Sequence, residues 1–428
     1  MRALKKIAST GRAVCATIHQ PSSAVFEMFD DLLLLKQGGE AVFFGELGQE
    51  SCHLVDYFEA RGAQPIEYGE NPAAWMLNAC MKKDYKTNWK DQFLQSEQYR
   101  AMRATISSVR GGATASEDSK RITFSSVYAT SALTRQYLMI RRVTKIMMRS
   151  HSYNLARIII AIIYSLVIGL VLLDFGDKKK SLTQDAVDGY LSTIFWALTV
   201  IGVVSINMAV PVMKQIRDVF YKHRASGMLS HNSVCTAVTL GEIPFICILS
   251  VIFSSIYYSL TGGFHAVNRF FMFFLYFSLN VGVYTYFGQA FICLVRDIST
   301  AAALVGALIG FNLFFSGLIV RPQNNVMFLI GFWTAPGRYV YEGVVTSQFH
   351  GEMQPVIATP YMPYWFSLNC TNPQTECEGT LENYVNFFFS GHFSINHQWL
   401  DISVLIFCLV LARLLLWLSL WKFNYGNT

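Results

Sequence analysis

Six apolar stretches dominate this 428-residue sequence, at 155–173, 189–212, 233–260, 270–295, 298–320 and 402–421. Three of them carry a single charge, Arg157, Glu242 and Arg413, and the others carry none. Crossing a bilayer core as a helix takes roughly 20 mainly apolar residues. A backbone in lipid must also satisfy its own hydrogen bonds. The chain is therefore expected to be a mainly α membrane protein with a six-helix transmembrane bundle. Composition agrees, because 14% of the residues are charged, against about 25% in soluble domains. The net charge of +6 comes without the clustered basic face that nucleic-acid binding requires. The apolar run 327–333 is too short to span and is expected to be re-entrant or interfacial.

Basic residues near the spans set the expected orientation. Arg135, Arg141, Arg142, Lys145 and Arg149 precede the first span, and Lys214, Arg217, Lys222 and Arg224 follow the second. With Arg296 and Lys422 they fall on one side, so both termini are expected in the cytosol, with the plasma membrane as the expected location. Lys178, Lys179 and Lys180 are the exception on the other side. The loop 321–397 is then extracellular. It holds Cys370, Cys377 and the glycosylation sequon Asn369-Cys370-Thr371. A disulfide is chemically permitted there, and spacing alone does not choose between a bridge and two free thiols.

Four regions follow along the chain. Residues 1–81 read as an incomplete α/β piece: a helix end at Leu4–Ala8, a buried strand at Val14–Ile18, apolar runs at Leu32–Leu35 and Ala41–Phe44 around a Gly38-Gly39 turn, then helices near 51–60 and 72–81. Residues 82–126 are polar, and Val109–Ser116 reads as a flexible linker. Residues 127–150 read as a basic amphipathic connecting helix, with Leu133, Tyr137, Ile140 and Met147 as its apolar face. Residues 151–428 hold the spans.

Several blocks carry a family resemblance. The segment CATIHQPSSAVFEMFDDLLLLKQGGEAVFFG, residues 15–45, and GENPAAWML, residues 69–77, resemble the end of an ATP-binding cassette domain of the G subfamily. VFYKHRASGMLS (219–230), LGEIPF (240–245), LFFSGLIVRP (313–322) and the Cys370–Cys377 loop resemble that subfamily's ABC-2 type membrane domain. Their order and spacing point to the pleiotropic drug resistance branch, and to the second half of a full-length transporter. The resemblance implies that residues 1–81 are the C-terminal remnant of a nucleotide-binding domain. It also implies that His19 is the switch histidine facing the γ-phosphate, with Gln20 beside it. Phosphoryl transfer is mostly positioning and charge stabilisation, which suits an imidazole there.

The rest of such a site is missing from these residues. A phosphate loop of the form G-x-x-x-x-G-K-[ST] is needed, and the sequence has no Gly-Lys dipeptide. The Asp-Glu pair and signature loop are missing too. ATP and Mg2+ are thus expected in the intact transporter and not on this chain alone. The expected partners are membrane lipid, a hydrophobic small-molecule substrate, and a missing N-terminal half or another half-transporter.

Charges inside spans are costly and mark function or structural pairing. Glu242 and Arg217 are coupling or relay candidates, with Glu242 expected to pair with a basic residue such as Arg224. Arg413 is expected to snorkel or to face a carbonyl, and Arg296-Asp297 to form a local ion pair. The resemblance places substrate contacts on spans two and five, giving Trp196, Thr199, Asn312, Phe314, Leu318 and Ile319 as cavity candidates. The expected function is the membrane-spanning half of an ATP-driven exporter of hydrophobic or amphipathic molecules or lipids. The alternatives are a truncated, non-transporting modulator of a full-length relative, and an ATP-independent channel.

Overall fold

The computed structural model describes residues 1–36, 38–81, 88–113, 128, 130–173, 181–261, 267–320, 325–370 and 377–425. The Lys178–Lys180 cluster and residues 114–127 lie outside them. The chain divides into two units, Met1–Phe124 and Ser125–Thr428.

In the first unit, α1 (Arg2–Ala8) ends at Ser9, and Gly11 follows with φ +81°. Val14–Ile18 is not a strand. It is irregular and exposed. The short α2 (Ser23–Phe26) leads into an antiparallel hairpin, β1 (Asp31–Lys36) and β2 (Glu40–Glu46). Helices α3 (Cys52–Glu59), α4 (Pro72–Met81), α5 (Trp89–Gln95) and α6 (Glu97–Ala113) follow. An aromatic core of Phe26, Phe43, Tyr57, Phe58 and Trp75 is closed by Trp89 and Phe93. Residues 89–113, read as polar linker, are therefore helical, and α5 belongs to this core. The period explains it, since Trp89 and Phe93 are one turn apart on the same face. Val109–Ala113 of the expected flexible linker closes α6.

The second unit opens with α7 (Ala132–Arg149), capped by the Ser131 hydroxyl, which accepts from the Thr134 amide. Its buried face is Met139, Val143 and Met147, whereas Leu133 and Tyr137 are exposed. The apolar stripe is thus rotated from the expected one, because α7 packs on a neighbouring helix. A π-helical turn at His151–Leu155 leads into α8 (Ala156–Val171). Then come β3 (Leu182–Thr183), α9 (Gln184–Ala225), α10 (His231–Leu260), α11 (Val267–Leu294) and α12 (Ile298–Phe315). After α13 (Val326–Thr334) and α14 (Pro336–Phe349) the chain makes β4 (Pro355–Ile357), α15 (Pro363–Ser367), β5 (Glu378–Thr380) and α16 (Leu381–Phe388). It closes with α17 (Gln398–Lys422).

Among the described residues, six helices are long and apolar enough to cross a membrane. They match the six apolar stretches. Helix α9 is longer than expected at 42 residues, or about 63 Å at 1.5 Å per residue. Its last turns run beyond the expected end of the span at residue 212, to Ala225.

Helix α11 is the hub and packs against α9, α17, α10 and α14. Small residues allow the close approach: a Cβ on Gly202 would stand 2.6 Å from the Tyr284 ring, and one on Gly288 2.6 Å from the Ile206 carbonyl oxygen. Helix α14, inside the expected loop, is the main surprise, because nearly all of it is buried. A Cβ on its Gly343 would overlap the Tyr276 ring of α11.

The helices alternate in direction. Tyr425 donates to the Leu294 carbonyl (2.6 Å), Trp417 to Asn232 (2.6 Å) and Arg142 contacts His223 (3.2 Å), so these residues share one end of the unit, here the α7 end. At the opposite α16 end, β3 pairs with β4 and β4 with β5. There the Tyr384 hydroxyl donates to Asp188 (2.6 Å). Cys370 and Cys377 are joined at this end, with Cα atoms 6.3 Å apart.

Candidate functional site: a buried polar cluster behind the connecting helix

Glu242 lies in α10 with 0% exposure. Its Oε1 accepts from the Tyr153 hydroxyl (2.5 Å) and from Arg157 Nη1 (2.9 Å). Its Oε2 accepts from Gln289 Nε2 (3.3 Å). Arg157 also donates to the Thr285 hydroxyl (3.2 Å). On the far side Arg413 Nη2 donates to Gln289 Oε1 (2.8 Å), and its guanidinium stacks 3.3 Å from the centre of the Tyr286 ring. One carboxylate thus ties α8, α10 and α11 together, and Gln289 passes the tie to α17.

The expected partner, Arg224, is elsewhere and donates to the Leu420 carbonyl (2.9 Å). Arg157 takes its place because α8 packs directly on α10. Arg413 does not snorkel; it faces a carbonyl, that of the Gln289 side chain. Its partners are the Gln289 amide and the Thr239 hydroxyl (3.4 Å).

The connecting helix meets this cluster closely. A Cβ on Gly241 would stand 3.2 Å from Val143 of α7. Arg135 and Gln136 of α7 each reach Ser233 of α10 at 3.4 Å. The residue next to the contact point is Glu242 itself. A displacement of α7 therefore bears on the backbone that holds the carboxylate.

Arg217, the second coupling candidate, is 2% exposed. It donates to the carbonyls of Ile292 (2.5 Å), Val295 (2.6 Å) and Arg296 (3.0 Å). A cation on these terminal carbonyls complements the helix dipole of α11 and clamps the α11–α12 turn to α9. No Arg296–Asp297 ion pair occurs among the described residues. The Arg296 carbonyl instead takes part in the Arg217 clamp.

The cavity candidates separate. Trp196, Phe314 and Ile319 are exposed, at 47%, 50% and 54%, and Thr199 and Leu318 are half-buried. Asn312 is buried: its Oδ1 accepts the Gly337 amide in the first turn of α14 (2.7 Å) and its Nδ2 donates to the Leu308 carbonyl (3.0 Å).

In the first unit, His19 and Gln20 are exposed on a bend, with Gln20 at φ +45°. Two of the motif blocks do meet there, since Asn71 Nδ2 donates to the Pro21 carbonyl (2.8 Å). Asn369 is exposed with φ +58°, and its sequon partner Thr371 lies outside the described residues.

Sequence comparison places this arrangement. Residues 135–349 match the ABC-2 type transporter family model, and residues 19–78 match a second model with the same description. The chain is 29% identical over 394 residues to ABC transporter G family member 31 of Arabidopsis thaliana, covering 91% of this chain and 26% of that protein. It is 31% identical over 359 residues to pleiotropic drug resistance protein 1 of Nicotiana tabacum, covering 83% and 25% respectively. It is 30% identical over 432 residues to ABC transporter G family member 32 of Oryza sativa subsp. japonica, covering 99% and 28%. The chain therefore spans about a quarter of the length of the curated relatives it matches. With its six apolar helices, the chain is a multi-pass membrane protein that belongs to the ABC-2 type transporter family, with homologues among the G-family ABC transporters.

Proposed function

We propose that this chain is the membrane-spanning half of an ATP-driven exporter of hydrophobic or amphipathic small molecules or lipids. The observation that carries the reading is the route from α7 through Gly241 to Glu242, and from there to α8, α11 and α17. A bundle with a buried, fully engaged carboxylate next to an outside helix suits a machine driven by force applied to that helix. The ATP and Mg2+ site needs a phosphate loop that these 428 residues do not hold, so its parts come from a cassette outside them. His19 is the switch group of that completed site. Trp196, Thr199, Phe314, Leu318 and Ile319 line the substrate path at a pseudo-twofold partner surface. The plasma membrane is the proposed location, with the α7 end in the cytosol and Asn369 glycosylated outside.

The test is export of a lipophilic dye from membrane vesicles carrying the chain with a cassette-bearing partner. ATP-dependent export that Glu242→Gln removes supports the reading. ATP turnover by the purified chain alone would sink the assignment of the nucleotide site. The missing phosphate loop favours one second reading, a non-transporting modulator. That reading predicts co-purification with a full-length relative and no gain in export.

A further inference from the structure

Asp401, in the first turn of α17, is 0% exposed. Neither of its carboxylate oxygens has a hydrogen-bond partner among the described residues. Over 90% of buried polar groups find a partner, and an ionised carboxylate buried without one is disfavoured by several kcal/mol. Asp401 is also the only buried aspartate among the described residues.

Its surroundings do not neutralise it. The charged and titratable groups facing it are Tyr276 of α11 and Arg338, Tyr339 and Glu342 of α14. Helix α10 contributes none, since Glu242 and Cys235 face Arg413, and Tyr257 and Tyr258 face Tyr190. Arg338, fully buried, is paired with Glu342 through Nη2, while its Nε and Nη1 have no partner among the described residues. Its guanidinium lies 4.0 Å from the centre of the Trp333 ring and 4.5 Å from that of Phe332. Glu342 Oε1 further accepts from the Ser394 amide (3.0 Å) and from His397 Nδ1 (2.8 Å). With His397 neutral, one cation thus faces two carboxylates, and the cluster carries one negative charge in excess. The His397 side chain is 34% exposed. With Nδ1 donating to Glu342, its Nε2 is the free acceptor.

We propose that Asp401 is a proton-binding site at the α16 end of the bundle. One O–H bond forms on the Asp401 carboxylate as one O–H bond of hydronium breaks, leaving water. The cluster becomes neutral, and the new O–H supplies a donor where the carboxylate had no partner. This site does not depend on the export reading, and it differs from the Glu242 cluster, whose carboxylate already has its donors.

The test uses the full chain in lipid nanodiscs. Infrared difference spectra between about pH 6 and about pH 9 are expected to show a carboxylic-acid carbonyl band at the lower pH. The band should shift with 13C-labelled aspartate, which needs no mutation, and disappear in Asp401→Asn. The folded chain then holds a proton that the unfolded chain does not. Its melting temperature should fall as pH rises through release of that proton, and Asp401→Asn should lack this component. A band unaffected by the label, or wild type and Asp401→Asn losing stability identically with pH, would overturn the proposal.

Discussion

Two of the charged clusters that the bundle buries are finished differently. Around Glu242, both carboxylate oxygens are occupied, by Tyr153, Arg157 and Gln289, and four helices are linked. Around Asp401, the one guanidinium in reach is bonded to Glu342 through Nη2 alone, its Nε and Nη1 have no partner among the described residues, and the second carboxylate is left without a donor. A buried ion pair adds little net stability over an apolar substitute, but removing one member leaves an uncompensated charge. The Glu242 cluster is therefore a joint that cannot be cut cheaply. The Asp401 cluster is one that a single proton can complete.

Mutations separate the two. Glu242→Ala strands Arg157, so unfolding in nanodiscs should show a loss of about 3–5 kcal/mol. Equal stability of that variant and wild type would mean the pair is not desolvated. Gly343→Val forces a side chain into the Tyr276 ring and should cost about 1–3 kcal/mol by the same assay. It tests whether α14 is as tightly seated as the Asp401 cluster requires. Asp401→Asn should cost under about 1 kcal/mol near neutral pH, because it keeps the shape and mimics the proton-bound form. A loss as large as that of Glu242→Ala would erase the contrast. His19→Ala, on an exposed bend, should change stability by no more than about 0.5 kcal/mol. In the same unit, thiol labelling should modify exposed Cys15 and Cys52 and spare Cys80, whose thiol burial pushes up to about 11.

The spans were legible because their signal is local: some twenty apolar residues in a row need no partner to be recognised. Helix α14 was not legible. Arg338, Glu342, Thr346 and Gln348 give it a polar composition, and it is too short to span. Its burial comes from α11, α17, α9 and α12. The available hints were Pro336 at the first helical position and Gly343 within an otherwise helical pattern. Glu242 was legible as an expensive charge, but its partner was not. Arg224 is nearer in sequence, while Arg157 is brought in by packing across 85 residues. Val14–Ile18 reads as a strand from its composition, yet a strand exists only beside another.

The central claim is that the Glu242 cluster couples the connecting helix to the transport path. It is tested most directly by comparing export by wild type and Glu242→Gln, in vesicles with a cassette-bearing partner, after equal folded amounts are confirmed. The account predicts that export by the variant falls at least about tenfold, or about 1.4 kcal/mol. A folded Glu242→Gln variant that exports at the wild-type rate would contradict it.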